Sequence, residues 1–245
     1  MKQALLRVPL APLFAGVVPL SPETARYVSR VHRLREGERF LAFDPAQALE
    51  GEATLVEVGK GALAARIASV HPASLVPRRP VTLIQCVGKG DKVDAVIRDA
   101  TELGASRVIA ALSARCVARP QADRGARWRR IAVEAARQCG RGDVPRVEGP
   151  LPLVDALHAV HGAAGACLDP RGALSFGRWV GEVTRVGEVM REVALVVGPE
   201  GGFTDEETAA CEDAGFARVK LGSMTLRTET VCAAALGALL ALTDA

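Results

Sequence analysis

Residues 195–236 read LVVGPEGGFTDEETAACEDAGFARVKLGSMTLRTETVCAAAL, and they predict two strands that each end in a loop. An apolar strand expected at 192–197 runs into a glycine-rich loop that closes at Phe203. Three glycines within the five positions from Gly198 to Gly202 indicate a backbone that bends sharply or approaches a ligand closely. This loop is the first of two candidate ligand-binding loops.

A helix and a second strand follow the glycine-rich loop. Thr204 is predicted to begin the helix, because Glu207 lies three residues later and completes the pattern of a capping box. The second strand is expected at 217–221, and a polar loop follows it at 222–230. In open parallel α/β sheets, ligands bind in the crevice outside the carboxyl ends of the strands. The two loops are therefore predicted to form one ligand-binding crevice.

The composition is that of a soluble globular protein with one large domain or two modest ones. The chain has 245 residues, of which 49% are hydrophobic and 24% are charged. Its six cysteines show no C-x-x-C pair and no histidine at ligand spacing, so we expect reduced thiols and no metal site. Arg7 and three prolines interrupt the apolar opening, which argues against a signal peptide. The apolar run at 231–242 is too short to span a bilayer, so a cytoplasmic protein without a membrane segment is expected.

Charge is distributed unevenly along the chain, although the formal net charge is only +3. Residues 1–80 carry a net charge of +4 and residues 113–146 one of +6, whereas residues 147–245 carry −7. A basic first part and an acidic second part predict that a polyanion contacts one side only. Alternatively, the 26 arginines against 5 lysines reflect composition alone, although composition does not explain their clustering.

The order of predicted elements indicates two domains. Residues 1–70 are predicted to form a small β-rich domain, with one helix at 22–34 that Ser21 caps. The segment 71–80, HPASLVPRRP, contains three prolines and is the predicted linker. From 81 to 245, strands and helices alternate, which predicts a mostly parallel sheet covered on both faces. Besides those named above, we expect strands at 81–87, 107–112 and 163–168, and helices at 91–103, 128–139, 154–160 and 231–242.

The glycine-rich loop does not match a nucleotide phosphate site. A dinucleotide site requires G-x-G-x-x-G after the first strand, whereas only Gly88, Lys89 and Gly90 follow it here, which favours a turn. Glu200 lies where a phosphate site excludes a carboxylate, and it suits a ligand with a cationic or hydroxyl-bearing part. A nucleotide-dependent oxidoreductase is therefore disfavoured.

Two motifs, VGPEGGF at 197–203 and LGSMTLRTET at 221–230, resemble the paired signature of the knotted SPOUT methyltransferases. The resemblance is closest to the branch that methylates N3 of a uridine in 16S ribosomal RNA, and three further stretches match that branch. These are GKGDKVDAVIRDATELG at 88–104, SARC at 113–116 and EAARQCGRGDVPRV at 134–147, whereas RVHRLREGERF at 30–40 resembles the PUA-like RNA-binding domain of the family. The resemblance implies a C-terminal SPOUT methyltransferase domain, α/β with a mostly parallel sheet and a trefoil knot, and a small N-terminal β-rich, PUA-like RNA-binding domain.

The resemblance also implies S-adenosylmethionine as the methyl donor, a homodimer, and the 16S RNA of the small ribosomal subunit as the partner. Glycines at 198, 201, 202 and 222 would allow close approach of the backbone to the donor. Leu221 and Leu226 would form apolar walls around its purine. In all, the resemblance implies contacts with the donor from Leu168, Val197, Gly198, Pro199, Glu200, Gly201, Gly202, Leu221, Gly222, Leu226, Thr228 and Thr230.

Methylation of a uracil N3 is a direct displacement at the methyl carbon, during which the imide proton leaves. No covalent intermediate is needed, so no cysteine is required as a nucleophile, and most of the acceleration comes from alignment. Arg227 is the candidate that stabilises the negative charge developing on the uracil, and Glu229 is the candidate that orients Arg227 or relays the proton. Alternatively, Arg227 and Glu229 form an ion pair that only fastens the loop.

RNA contacts are expected from two groups of arginines: Arg30, Arg33 and Arg35 in the first domain, and Arg115, Arg119, Arg137 and Arg141 in the basic central segment. For Arg127, Arg129 and Arg130, a solvated helix face is the favoured interpretation.

The helix at 231–242 is apolar on nearly all sides, which suits burial by the knot and a partner subunit or by the core of one subunit. Two alternative functions are a non-catalytic RNA-binding protein of ribosome assembly and methylation of a ribose 2′-oxygen.

Overall fold

The structure is a computed structural model, and it describes residues 5–59, 61–116, 124–184 and 191–243. The chain divides into two compact units. The first comprises Met1–Val76 and Ala136–Val144, and the second comprises Pro77–Ala135 and Pro145–Ala245. The first division falls inside the proline-rich segment 71–80. Residues 136–144 belong with the first unit although they lie far along the chain, a feature that the order of predicted elements did not indicate.

The described residues of 5–76 form a six-stranded sheet with one α-helix. Its elements are β1 (Arg7–Pro9), β2 (Gly16–Pro19), α1 (Pro22–Arg26) with a π-helical turn at Tyr27–Val31, β3 (Arg39–Asp44), β4 (Leu49–Val58), β5 (Ala62–Ile67) and β6 (His71–Pro72). The strand order is β1-β3-β4-β5-β2, and β6 pairs with β4. All pairs are antiparallel except β1 with β3.

Local chemistry explains where α1 begins. The Ser21 hydroxyl accepts a hydrogen bond from the Thr24 amide at 3.1 Å, and Pro22 occupies the first helical position, where its missing N–H costs nothing. The predicted cap is confirmed. The helical segment ends at Val31, three residues before the predicted end at 34, and its residues from Tyr27 to Val31 form a π-helical turn.

The described part of the second unit is a seven-stranded sheet in which every pair is parallel. Its order is β11-β13-β10-β12-β7-β8-β9, so the predicted α/β fold with a mostly parallel sheet is confirmed. The elements are β7 (Val81–Cys86), α2 (Lys92–Glu102), β8 (Arg107–Leu112), α3 (Arg124–Cys139), β9 (Arg146–Pro152), α4 (Leu153–His158), β10 (Ala164–Leu168), β11 (Leu174–Ser175), α5 (Phe176–Thr184), β12 (Val193–Val197), α6 (Asp205–Asp213), β13 (Phe216–Lys220) and α7 (Thr228–Thr243). The last residues of α3 belong to the first unit.

The central strands β7, β10 and β12 are buried at every position. Their near-continuous apolar runs are typical of parallel strands that have both faces covered. Three elements of the second unit were not predicted: β9, the two-residue strand β11 and α5. Strand β9 contains Gly149, Pro150 and Pro152, which argue against a strand, but β9 lies at the edge of the sheet, where proline is tolerated. Helix α5 contains two glycines, which weaken its helical pattern, and it is held by the buried side chains of Trp179 and Val180.

Helix α7 begins at Thr228, three residues earlier than predicted, and it packs against α2, α5 and β12. Its buried side includes Cys232, Leu236 and Leu239, whereas Leu240 is 39% and Leu242 54% exposed. The described residues therefore bury one side of this helix and leave Leu240 and Leu242 exposed, so they do not by themselves provide the core burial that was one of the two expected explanations.

Two absences apply to the described ranges. None of their helices has the length and apolarity needed to cross a membrane. The same ranges hold no group of three histidine, cysteine, aspartate or glutamate side chains that could bind a metal ion.

Candidate functional site

A cleft of about 690 Å³ opens at the carboxyl ends of the central strands β10 and β12. It is lined by residues 168–171, 197–203 and 225–228, together with Lys92, Arg115 and Val231. The volume lies within the range of small-molecule sites, about 300 to 1,000 Å³. The cleft therefore joins the two loops that the sequence predicted to form one crevice.

Most residues predicted for the donor site and the chemistry line this cleft. Those at its wall are Leu168, Val197, Gly198, Pro199, Glu200, Gly201, Gly202, Leu226, Arg227 and Thr228. Four others do not line the cleft. Leu221 is partly buried, Gly222 and Thr230 are exposed to solvent, and Glu229 lies in the first turn of α7.

The glycine-rich loop is shaped by contacts within the protein as well as by its backbone. Gly202 adopts a φ of 67°, and its amide donates to the Pro199 carbonyl at 2.8 Å, so a tight turn requires glycine there. A Cβ at Gly198 would lie 3.2 Å from the Phe203 ring, and one at Gly201 would lie 3.2 Å from the Arg115 side chain. These two glycines therefore accommodate neighbouring side chains, a reason that differs from the predicted approach to a ligand.

The capping box after this loop is confirmed. The Thr204 hydroxyl accepts from the Glu207 amide at 3.2 Å, and the Glu207 carboxylate accepts from the Thr204 amide at 3.0 Å. The other Glu207 oxygen accepts from the Ala114 amide at 2.6 Å. The start of α6 is thus tied to the loop after β8, which also carries Arg115.

Thr228 joins the two loops of the cleft. Its hydroxyl donates to the Gly198 carbonyl at 2.8 Å and accepts from the Gln85 amide group at 3.0 Å. Gln85 is only 1% exposed, at the end of β7, and its carbonyl oxygen accepts from the Cys232 thiol. Because buried polar groups are costly when unpaired, this network fixes the first turn of α7 against the glycine-rich loop.

Glu200 faces α2. Its carboxylate pairs with the Lys92 ammonium at 2.9 Å and accepts from the Lys89 amide at 3.2 Å. Burial raises the pKa of Glu200, but the hydrogen bonds from Lys92 and from the Lys89 amide outweigh burial and hold the pKa below its ordinary value. The predicted partner of Glu200 was a ligand, whereas the structure supplies Lys92, which sequence reasoning had not selected.

Four cationic side chains line the cleft, and three of them are engaged by the protein. Lys92 pairs with Glu200, and Arg115 donates to the carbonyls of Gly201 at 2.8 Å and Phe203 at 3.2 Å. Arg171 binds the Asp169 carboxylate at 3.1 Å. For Arg227, the described residues provide no ion pair and no side-chain hydrogen bond, and the predicted pair with Glu229 is not formed. The Lys92 ammonium instead lies 3.4 Å from the Glu229 carboxylate.

Asp169 is a buried carboxylate at the edge of the cleft that sequence reasoning missed. Only 5% of the residue is exposed, and Arg218 binds it at 2.9 Å in addition to Arg171. Burial raises its pKa, but hydrogen bonds from Arg171 and the charge of Arg218 outweigh burial, so the pKa lies below the ordinary value. The available signal was the DPRG sequence at 169–172, which places charged residues directly after a buried strand.

The arginines predicted to contact RNA have different environments. Arg30, Arg33 and Arg35 are exposed in the first unit. The Arg137 guanidinium lies 4.2 Å from the centre of the Tyr27 ring and donates to its hydroxyl. Arg141 is 3% exposed and pairs with Asp143 at 2.7 Å, so its guanidinium does not reach the surface and its prediction as an RNA contact is corrected.

The other basic residues of the central segment follow the favoured interpretation. Arg127 pairs with Asp94 at 2.6 Å, and Arg129 and Arg130 are exposed on the same helix. Arg115 lines the cleft of the second unit. Arg119 lies outside the described residues.

Comparison with known proteins identifies the family. Residues 76–240 match the sequence profile of the RNA methyltransferase domain. The protein named ribosomal RNA small subunit methyltransferase E of Mycobacterium bovis is 35% identical over 98% of this chain and 92% of its own length. Its namesake from Synechocystis is 31% identical over 97% of this chain and 78% of its own length.

Solved structures agree with the sequence comparison. A methyltransferase from Legionella pneumophila, in complex with S-adenosylmethionine, has a TM-score of 0.86 and 28% identity, with 98% of each chain covered. The ribosomal RNA small subunit methyltransferase E of Neisseria gonorrhoeae, bound to S-adenosylmethionine, has a TM-score of 0.84 and 29% identity, over 97% of this chain and 98% of that one. This chain therefore belongs to the RNA methyltransferase family, together with the ribosomal RNA small subunit methyltransferase E proteins.

Proposed function

We propose that the protein transfers a methyl group from S-adenosylmethionine to N3 of a uridine in the 16S RNA of the small ribosomal subunit. The observation that carries this proposal is the environment of Arg227, a cation without a protein partner among the described residues, in a cleft of donor size. Relatives named as ribosomal RNA small subunit methyltransferases and two donor-bound neighbours support it.

The residues of the cleft fit the donor. Apolar side chains of Leu168, Val197 and Leu226 form walls suited to a purine, and the turn at Gly202 leaves room for close approach. When bound, S-adenosylmethionine supplies an electrophilic methyl group on a sulfonium. The protein contributes the position of that group, because Thr228 holds the glycine-rich loop against α7. We do not include Leu221, Gly222 and Thr230 in the proposed site.

Arg227 is proposed to act on the acceptor. A guanidinium with free N–H donors stabilises negative charge that develops on the uracil oxygens as the imide proton leaves. Lys92, Arg115 and Arg171 are less suited to this role, because each already donates to protein oxygens through at least one nitrogen. Glu229 is not assigned to orient Arg227 or to relay a proton, since its carboxylate lies beside Lys92.

The test is methylation of small ribosomal subunits by the purified protein with isotope-labelled donor, followed by mass analysis of the nucleosides. We expect 3-methyluridine, and the Arg227→Ala variant should lose about 100-fold in kcat, the magnitude typical of removing one donor to a developing oxyanion. Its Kd for S-adenosylhomocysteine should stay within about twofold of the unmodified protein, because the change affects the transition state. The control is Arg178→Ala, at an exposed pair on α5.

Each alternative has its own outcome in this assay. An Arg227→Ala protein that folds, binds the donor and keeps full turnover would remove Arg227 from the mechanism. Methyl groups on ribose 2′-oxygens would redirect the acceptor assignment. Saturable donor binding without any methylation of the subunits would favour the non-catalytic assembly protein.

We further propose that residues 1–70 form a PUA-like RNA-binding domain, that 71–80 link it to the methyltransferase domain at 81–245, and that Arg30, Arg33 and Arg35 contact phosphates. The strand order β11-β13-β10-β12-β7 supports a trefoil knot in the second domain. After β13, the chain continues into α7, which packs against β12, two strands away in the sheet. Force-extension of single molecules tests it, because a tightened knot shortens the extended chain.

A homodimer is proposed from the uncovered side of α7. Leu240 and Leu242 are exposed there on a helix that is otherwise apolar, and a second copy would bury them. Sedimentation velocity should therefore give a dimer of the 25.7 kDa chain, and Leu242→Glu should shift it to monomer. A monomeric unmodified protein would contradict this proposal. We also propose that the protein is located in the cytoplasm, together with its proposed substrate, the small ribosomal subunit.

A further inference from the structure

We propose that Lys92 is a positioning residue that holds the glycine-rich loop and the first turn of α7 in the arrangement required for methyl transfer. The proposal rests on the proposed function, and it concerns a residue whose side chain need not touch either substrate. We call Lys92 together with Glu200 and Glu229 the Lys92 bridge.

Three separate elements meet at the Lys92 bridge. Lys92 is the first residue of α2, Glu200 lies in the loop after β12, and Glu229 is the second residue of α7. The Lys92 ammonium is 2.9 Å from a Glu200 oxygen and 3.4 Å from a Glu229 oxygen. One cation therefore links a carboxylate of the glycine-rich loop with a carboxylate in the first turn of α7.

The turn before α2 also contacts the Glu200 carboxylate. The Lys89 amide donates to Glu200 at 3.2 Å, and a Cβ at Gly88 would lie only 3.0 Å from a Glu200 oxygen. All three side chains of the Lys92 bridge are between 26% and 33% exposed, so solvent screens them only in part. The hydrogen bond to Glu200 raises the pKa of Lys92, which keeps the bridge charged at neutral pH.

The position of the Lys92 bridge connects it to the chemistry. Glu200 belongs to the cleft wall, and Arg227 lies two residues before Glu229. The bridge therefore sets the distance between the loop proposed to hold the donor and the arginine proposed to act on the acceptor. Without Lys92, two carboxylates would remain near each other without a cation, and their repulsion would separate the loops.

The test compares Lys92→Met and Lys92→Arg with the unmodified protein. Calorimetry with S-adenosylhomocysteine gives the Kd, and methylation of small subunits gives kcat and KM. We expect Lys92→Met to lose about tenfold in kcat/KM, the order that misplacement of reacting groups produces, while Lys92→Arg recovers most of the loss. Arg98→Met, at an exposed pair on the same helix, is the matched control and should behave as the unmodified protein.

A charge-specific readout separates positioning from general stability. Removing Lys92 makes the cleft more negative, so the affinity for the neutral thioether S-adenosylhomocysteine should fall more than the affinity for the cationic sulfonium S-adenosylmethionine. A structural residue far from the ligand would leave this ratio unchanged. In Lys92→Met, a second change of Glu200→Gln should cost less than it does alone, because the two side chains act together.

The outcomes are distinct from those of the proposed function. If Lys92→Met keeps the Kd, kcat/KM and affinity ratio of the unmodified protein, the positioning role is overturned, and a lowered melting temperature with all three unchanged overturns it equally. If the unmodified protein methylates nothing, the proposed function fails, while the Kd and the affinity ratio still decide whether the Lys92 bridge shapes the ligand site.

Discussion

Thr228→Val tests the network that joins the two loops of the cleft. Valine keeps nearly the size of threonine but has no hydroxyl, so the change removes the bond donated to the Gly198 carbonyl and the bond accepted from Gln85. Thr228 is 7% and Gln85 1% exposed, so water does not readily replace either bond. The Gly198 carbonyl and one N–H of the Gln85 side-chain amide then lose their partner, while the Gln85 nitrogen still donates to the Cys86 carbonyl at 2.7 Å.

The expected loss follows from the cost of each unpaired group. An unsatisfied buried polar group costs about 1 to 3 kcal/mol, so two of them predict a loss near 3 kcal/mol when the site relaxes in part. For a domain of 150 to 250 residues, this corresponds to a fall in Tm of about 6 to 12 °C. Affinity for S-adenosylhomocysteine should fall as well, because the Gly198 carbonyl is no longer held.

Urea unfolding followed by tryptophan fluorescence is the assay. Trp128 and Trp179, the two tryptophans of the chain, both lie buried in the second unit, so the signal reports the unit that contains the network. The control is Thr230→Val, an exposed threonine of the same helical turn, which should stay within about 0.5 kcal/mol. An unchanged urea midpoint in Thr228→Val, or an equal loss in Thr230→Val, would refute the reasoning.

Three further predictions concern packing, pH and RNA. Gly165→Ala would place a Cβ 2.6 Å from the Phe216 ring, so it should destabilise the second unit by about 1 to 3 kcal/mol in the same urea assay, and full stability would contradict the packing. Because the pKa of Asp169 is depressed on folding, its stabilising effect should be complete at neutral pH and decline as the pH falls below the ordinary aspartate pKa of about 3.9. The stability difference between the unmodified protein and Asp169→Asn, measured by urea unfolding from pH 7 to 3, should shrink accordingly, and a difference that grows in acid would exclude this sign. Glutamine is to replace Arg30, Arg33 and Arg35 together. The slope of log affinity for RNA against log salt concentration should then become shallower by about 2, at 0.7 per phosphate contact. An unchanged slope would exclude these arginines from the interface.

Local sequence patterns predicted most of the second unit. The strand predicted at 107–112 is observed as Arg107–Leu112, and the capping box at Thr204 is formed as expected. Such features depend on neighbouring residues and on period, which the sequence displays directly. Strand β9 and helix α5 escaped because prolines and glycines obscure their patterns, and only the edge position of β9 and the packing of Trp179 make them stable.

The candidate site was predictable in its backbone and less so in its side-chain contacts. Glycine spacing and strand ends brought residues 197–203 and 225–228 to one cleft, as expected. The same reasoning assigned Arg141 to RNA, whereas it is buried and pairs with Asp143, and it did not select Lys92 as the partner of Glu200. The sequence of a basic segment does not show which of its arginines are exposed and which are buried in ion pairs, so composition could not separate the two cases.

The sequence by itself determined the class of fold, the two loops at strand ends, and the family that the ordered motifs identify. Only the tertiary structure decided which charged groups meet, because the sheet order β11-β13-β10-β12-β7 brings together elements that are distant along the chain. The pairing of Lys92 with Glu200 and the union of Gln85 with Thr228 arise from that order. Local periodicity specifies which face of an element is buried, but the partner across that face depends on how the whole chain is arranged.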